Sequence, residues 1–110
     1  MGAMRTLGAS EARDRLEAWR GLQVYVHLEV NPEAYLRNVS ATLDEVGIFG
    51  DGLYRVHLRF RNPDGLLYIQ DVTEFVEDGS ALVMMGFDGQ NRVRQTLTVS
   101  KEPLDVGKVG

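Results

Sequence analysis

Cysteine is absent from this chain, which excludes disulfide bonds, thiolate metal sites and redox-active thiols. Apolar runs are short, and none approaches the ~20 residues that a transmembrane helix requires. Acidic residues outnumber basic ones by 16 to 12, and the net charge of −4 opposes long-range attraction to nucleic acid. The composition therefore fits a cytoplasmic protein, and we predict no membrane contact, no cofactor and no nucleic-acid partner.

The length of 110 residues and the ordinary apolar content of 44% suit one small domain with a single core. We assign this domain to residues 11–104. Residues 1–10 are predicted to be disordered, and their first three residues, Met-Gly-Ala, are compatible with a cloning remnant. Residues 105–110 contain two glycines and are predicted to form a flexible tail.

A short amphipathic helix is predicted over residues 11–20. Ser10 is a favourable N-cap, and Gly21 stands where a helix commonly ends in a left-handed residue. Ala12 and Leu16 follow at helical spacing and belong to an apolar stripe. A helix of about three turns does not persist alone in water, so this stripe is expected to pack against the rest of the chain.

After the helix the hydrophobic period changes to two, which predicts β-strands separated by turns rich in Gly, Pro, Asn and Asp. Irregularities in the alternation indicate bulges near Gly47 and Asp71. Short connections imply antiparallel neighbours. The predicted fold is mainly β: a short N-terminal helix followed by about six antiparallel strands that form a small barrel or a strongly bent sheet. The predicted strands cover residues 24–30, 35–46, 54–60, 66–76, 82–85 and 93–99.

Two Val-His-Leu triplets contain the only histidines, His27 and His57. In both strands the alternation places the imidazole on the face opposite the apolar side chains. If these strands were neighbours, both rings and the Glu29 carboxylate would converge and suit zinc or iron. However, Arg55 and Arg59 flank His57 on its own face, and their charges would repel a dication. We therefore predict outward-facing histidines without a metal, with His27 in a hydrogen-bonded polar cluster.

Arginine is frequent on the polar faces of the strands. Arg55, Arg59 and Arg61 share one predicted strand face, and Arg37 lies beside Asn38 on another strand. Their convergence would form a cationic patch for a small anionic ligand or RNA. The simpler prediction is that they pair with acidic residues on neighbouring strands. Those acidic residues are Glu29, Asp44, Glu45, Asp71 and Glu74.

Several segments together resemble the YojF family, a group of small uncharacterised bacterial proteins. The segments are VYVHLE at 24–29, YLRN at 35–38, LYRVHL at 53–58, GLLYIQDVTEF at 65–75, MGFDGQNRV at 85–93 and LTVSKEPL at 97–104. The resemblance covers most of residues 11–104. It implies a compact β fold, a bacterial cytosolic setting and a homodimer, but no established activity. Genes of the family often lie near a deacetylase of bacillithiol biosynthesis, which implies a link to thiol metabolism without giving any residue a role.

The chain departs from this family in two ways. A longer hairpin of the family is reduced here to residues 30–36. The family tends to have histidine at the position of Phe87 and a small residue at the position of His57. These departures argue against a histidine site shared by the family.

Three functions remain open at this point. The first is a non-catalytic accessory or interaction protein that dimerises and binds a protein partner or a small anionic ligand. The second is an RNA-binding barrel similar to Sm-like domains, and the third is a metal-dependent enzyme that uses His27 and Glu29. We rank them in this order because the sequence contains no catalytic motif. The candidate ligand or interface residues are His27, Tyr25, Glu29, Arg37, Asn38, Tyr54, Arg55, His57 and Arg59.

Overall fold

The computed structural model describes residues 4–31 and 34–104, which form one helix and eight strands. The helix α1 spans Ala9–Glu17. The strands are β1 (Met4–Leu7), β2 (Gln23–Val30), β3 (Ala34–Asp51), β4 (Leu53–Arg61), β5 (Gly65–Val72), β6 (Glu74–Asp78), β7 (Ala81–Phe87) and β8 (Val93–Ser100). They form one antiparallel sheet in the order β1-β6-β7-β8-β2-β3-β4-β5. Within the described ranges, no helix has the length and apolar character needed to span a bilayer.

The sheet is strongly bent because two strands from opposite ends of its order are consecutive in the chain. Only Thr73 separates β5 from β6. The backbone N–H of Thr73 donates to the carbonyl of Met85 on β7 at 2.9 Å, which fixes this crossing. The sheet nevertheless does not close into a barrel, because β1 and β5 are its two ends and do not pair with each other. Of the two predicted architectures, the bent sheet is the one observed.

The apolar core lies inside the bend. Every second residue of the strands points into it, and Val24, Val56 and Leu97 illustrate the pattern with 0% exposure. The helix covers part of this core through Ala12 and Leu16, which are equally buried. The mainly β fold, the docked helical stripe and the inward face of the period-two strands are thus confirmed.

The helix begins at Ala9, two residues before its predicted start. The predicted N-cap, Ser10, lies inside the first turn, and Gly8 is the residue that precedes the helix. The Glu11 carboxylate accepts a hydrogen bond from the Gly8 N–H at 3.2 Å and so satisfies a backbone donor at the start of the helix. Gly21 adopts the predicted left-handed conformation, with φ of +85°.

The sheet has two more strands than the predicted six. Residues 4–7, predicted to be disordered, form β1 because Leu7 pairs with Phe75 and is buried against the core. The predicted strand 66–76 is divided into β5 and β6. Asp71 lies in the left-handed region with φ of +60°, and the register shift beside it confirms the predicted bulge. Residues 1–3 and 105–110 lie outside the described residues.

The hairpin turns lie where the sequence predicts them. β3 and β4 meet at Gly52, and the Asp88 carboxylate organises the β7–β8 turn by accepting the N–H groups of Gln90 and Arg92 at 2.8 and 3.0 Å. β3 continues through Gly47 to 18 residues in length. Its bulge therefore falls at the register shift beside Asp44 and not at the predicted glycine.

Candidate interaction surface

His27 lies on the face of β2 opposite the core, as predicted, but it is buried with only 3% exposure. The ring takes part in hydrogen bonds, in keeping with the predicted polar cluster, but strand alternation gave no indication of this burial. The reason for the burial is the covering segment that follows β8. That segment places Leu104 beside the ring on the outer side of the sheet, and Ser100, the last residue of β8, contacts the ring directly.

Both ring nitrogens of His27 are occupied by hydrogen bonds. Nδ1 accepts the backbone N–H of Asn38 at 3.0 Å, so it carries no proton. Nε2 lies 3.1 Å from the Ser100 hydroxyl, which itself donates to the carbonyl of Glu102 at 2.7 Å. Nε2 must therefore carry the proton and donate to the hydroxyl oxygen. A neutral ring with both nitrogens engaged has no lone pair free for a metal or a substrate proton.

Asn38 anchors the covering segment from the opposite side of the ring. Its backbone is left-handed, with φ of +54°, a conformation that asparagine tolerates better than most residues. Its side chain accepts the N–H of Leu104 and donates to the carbonyl of the same residue, both at 2.9 Å. His27 and Asn38, both predicted to contact a ligand or partner, thus hold the chain's own C-terminal segment in place.

Glu29 and Arg37 lie next to this network and neutralise each other. Their side chains form an ion pair at 2.9 Å, and the guanidinium stands 4.8 Å from the ring centroid of Tyr35. With His27 they border a cleft of about 180 Å³ that two threonine hydroxyl groups of β8 also line. The residues predicted as a polar cluster around His27 and those predicted as a cationic patch at Arg37 thus lie together, and the charges of Glu29 and Arg37 are already paired. Tyr25 is half-buried on the same face of β2.

The buried state of His27 should make stability depend on pH. Burial lowers its pKa below the ordinary value of 6.5, and the Arg37 guanidinium adds to this effect. As the pH falls, the unfolded chain therefore binds the proton before the folded protein does. We expect the free energy of unfolding to decrease between about pH 7 and pH 5, as measured by urea titration. A His27→Gln variant should lose this dependence, and His57→Gln should keep it.

Two carboxylates with lowered pKa values affect stability at lower pH than His27 does. A hydrogen bond from Arg15 lowers the pKa of Glu77 below 4.5, and backbone N–H donation from Arg92 lowers the pKa of Asp88 below 3.8. Both carboxylates therefore titrate below the window used for histidine. An unchanged pH dependence in His27→Gln would contradict the assignment.

The two histidines do not meet. β3 separates β2 from β4 in the sheet, so the condition for a shared metal site is not fulfilled. On β3, the residue paired with His57 is Gly47, which offers no metal ligand. The residues of β3 that face His27 lie near Asn38, about nine positions earlier along the same strand. Across the described ranges, no group of three or more histidine and acidic side chains could hold a metal ion.

His57 instead belongs to an exposed aromatic surface on the outer side of β3, β4 and β5. Its ring lies edge-on to Phe49 at a centroid distance of 5.6 Å and to Tyr68 at 4.6 Å. Phe49 is 51% exposed, Tyr68 is 49% exposed, and the adjacent Leu66 is 73% exposed. We call these four residues, Phe49, His57, Leu66 and Tyr68, the aromatic face.

The aromatic face lines a shallow groove of about 310 Å³. Gly47 lies under the Phe49 ring in this groove. A β-carbon at position 47 would lie 2.5 Å from that ring, so the ring can occupy this position only because the residue has no side chain. Glu45 and Arg59 form an ion pair at 3.1 Å on one side of it. The arrangement is an apolar groove with a neutralised polar rim, a composition typical of protein contacts.

The predicted pairing of arginines with acidic neighbours is observed. Besides Arg37 and Arg59, Arg61 pairs with Asp44 at 3.3 Å. Arg37, Arg59 and Arg61 therefore form separate ion pairs with acidic residues on neighbouring strands, whereas Arg55 forms none with a described residue. Arg55 is exposed on β4, opposite Phe49 in the register.

Tyr54, a predicted contact residue, lies elsewhere. It is half-buried, and its ring packs edge-on against the core residue Phe75 at a centroid distance of 5.4 Å. The sequence interpretation also omitted Phe49 and Leu66 from the candidate residues. Extending the strand alternation past Val46, and reading the outward positions of β5, would have identified both.

Comparisons with known proteins agree with this architecture. Residues 30–104 match a family model described as "Protein of unknown function (DUF1806)". The chain is similar to "Uncharacterized protein YojF" of Bacillus subtilis (strain 168), with 27% identity over 118 residues that cover 94% of this chain and 100% of that protein. It also resembles the crystal structure of the Bacillus subtilis YojF protein, with 30% identity and a TM-score of 0.82, covering 94% of this chain and 99% of that chain.

Proposed function

Because this chain belongs to the DUF1806 family of proteins of unknown function, and because its most polar cluster is internally satisfied, we propose that it is a non-catalytic accessory protein. In this proposal it acts by binding other proteins through the aromatic face. The resemblance to YojF noted in the sequence is confirmed at the level of the family. The observation that carries the proposal is the exposed aromatic face itself.

Three adjacent strands each contribute one ring to this surface. Phe49 comes from β3, His57 from β4 and Tyr68 from β5, and the contacts between their rings restrict each of them. Rings that are already ordered lose little conformational entropy when a partner covers them. Contiguous exposed apolar surface of this kind marks interaction sites more often than isolated exposed side chains do.

The polar cluster around His27 supports a non-catalytic role. General acid–base chemistry requires a group that can exchange a proton with a substrate. Both nitrogens of His27 instead bind the chain itself, and Glu29 is paired with Arg37. The alternative of a metal-dependent enzyme that uses His27 and Glu29 is therefore disfavoured.

RNA binding by a Sm-like domain is disfavoured for an electrostatic reason. Aromatic rings can stack on bases, but retention of a polyanion depends on accessible cationic groups. Of the predicted arginines on β4, Arg59 and Arg61 are neutralised by Glu45 and Asp44, and only Arg55 has no ion pair with a described residue. The same pairing weakens the case for a small anionic ligand.

The proposed role includes a homodimer, and the link to bacterial thiol metabolism stays a prediction from the family resemblance.

Site-specific photo-cross-linking in cells tests this proposal. Benzoylphenylalanine would replace Phe49 in one variant, Tyr68 in a second and Gln90, in the exposed β7–β8 turn, in a control. We expect discrete protein adducts from the first two positions and none from the turn. The mass of an adduct separates a second copy of this chain from a different protein. Absence of adducts at both aromatic positions would refute binding through this face.

A further inference from the structure

We propose that β5 is the edge at which two copies of this chain pair as antiparallel strands around a twofold axis. This inference rests on the homodimer in the proposed function and assigns its contact surface. β5 ends the strand order, and within residues 4–31 and 34–104 its only ladder partner is β4. The Gln95 side chain donates to the carbonyl of Gln70. That contact covers the far end of β5 and leaves residues 65–69 as the free edge.

The free edge of β5 lacks the features that commonly prevent strand pairing. Charged side chains, proline and very short length protect exposed edges in natural sheets. Residues 65–70 read GLLYIQ and contain neither charge nor proline. The other end of the sheet contrasts with this, because β1 has four residues and carries Arg5, which pairs with Glu77 and Glu11.

The absence of charge favours a second copy as the occupant. A twofold axis places an antiparallel strand opposite itself, so a charged residue near the axis would face its like. A segment without charge avoids this electrostatic repulsion between identical residues. It also has no charge that could attract a different, oppositely charged partner. With the axis at Leu67, the exposed Leu66 of one copy would lie opposite Tyr68 of the other. Two aromatic faces would then become one continuous surface.

Complementary charge variants provide the test. One variant carries Leu66→Lys and Tyr68→Lys, and the other carries Leu66→Glu and Tyr68→Glu. Both positions are exposed, so each variant should fold. By sedimentation velocity over a range of concentrations, we expect a dimer for the unmodified protein, a monomer for each variant and restored dimer in an equimolar mixture. Gln90→Lys, in the exposed β7–β8 turn and outside the aromatic face, is the control and should stay dimeric.

Each other result overturns the inference. A monomer at every concentration for the unmodified protein would refute pairing through β5. Dimers that survive in both charge variants would place the contact elsewhere, and a mixture that stays monomeric would show that the strands do not face each other. Cross-linking of a different protein at Phe49 would still support the proposed function in any of these cases, so the two proposals fail independently.

Discussion

Replacing His27 with alanine is expected to lower the free energy of unfolding by about 3 kcal/mol, since the change combines a cavity with lost buried hydrogen bonds. The Asn38 N–H would lose its acceptor, and the Ser100 hydroxyl oxygen would lose the donor it accepts from. The same replacement at His57, an exposed residue, should change stability by less than about 0.5 kcal/mol. The two histidines occupy identical Val-His-Leu triplets, so the difference isolates the effect of the covering segment.

Denaturant titration of both variants at about pH 7.5 measures this difference. The far-ultraviolet circular dichroism of each variant at low denaturant verifies that it is folded. If His27→Ala is unfolded even without denaturant, His27→Asn provides a milder test, because its side chain can still offer one donor or acceptor. Equal effects at the two histidines would show that the segment around Leu104 does not cover His27 in solution.

Replacing Gly86 with alanine is expected to lower the free energy of unfolding by about 2 kcal/mol, because the added methyl group would overpack the site. A β-carbon at this position would overlap the carbonyl oxygen of Asp71, a backbone atom of the β5 bulge. That backbone cannot easily retreat, because the neighbouring Thr73 N–H is bonded to Met85. Gly89, in the β7–β8 turn, has open space around it, and Gly89→Ala is the matched control.

Thermal and denaturant unfolding of the two glycine variants test the crossing between β5 and β7. We expect the alanine at position 86 to lower the midpoint clearly and the alanine at position 89 to leave it nearly unchanged. A neutral result for Gly86→Ala would mean that the ends of β5 and β7 lie farther apart than the structure places them.

The local parts of the fold could be predicted from the sequence because they depend on local signals. Alternation of apolar residues identified the inner face of each main strand, and the turn residues located the hairpins. The docked helix followed from the spacing of Ala12 and Leu16. Strand order is different, since it depends on contacts between distant segments. The irregularity near Asp71 indicated a bulge, but nothing local showed that residues 66–76 form two strands at different ends of a bent sheet.

The candidate site shows the same division. The side of the strand on which His27 lies followed from alternation, but its burial depends on Ser100 and Leu104, which are far away in sequence. The exposed position of His57 was also predictable. Its contacts with Phe49 and Tyr68 became evident only once β3 and β5 were known to flank β4.

The pairing of β1 with β6 affects how the chain is made. Leu7 leaves the ribosome early, whereas its partner Phe75 is synthesised only after most of the chain has emerged. Bringing such distant segments together carries a loop-closure cost, and folds dominated by distant contacts tend to form slowly. During translation β1 must therefore wait unpaired until β6 has been made.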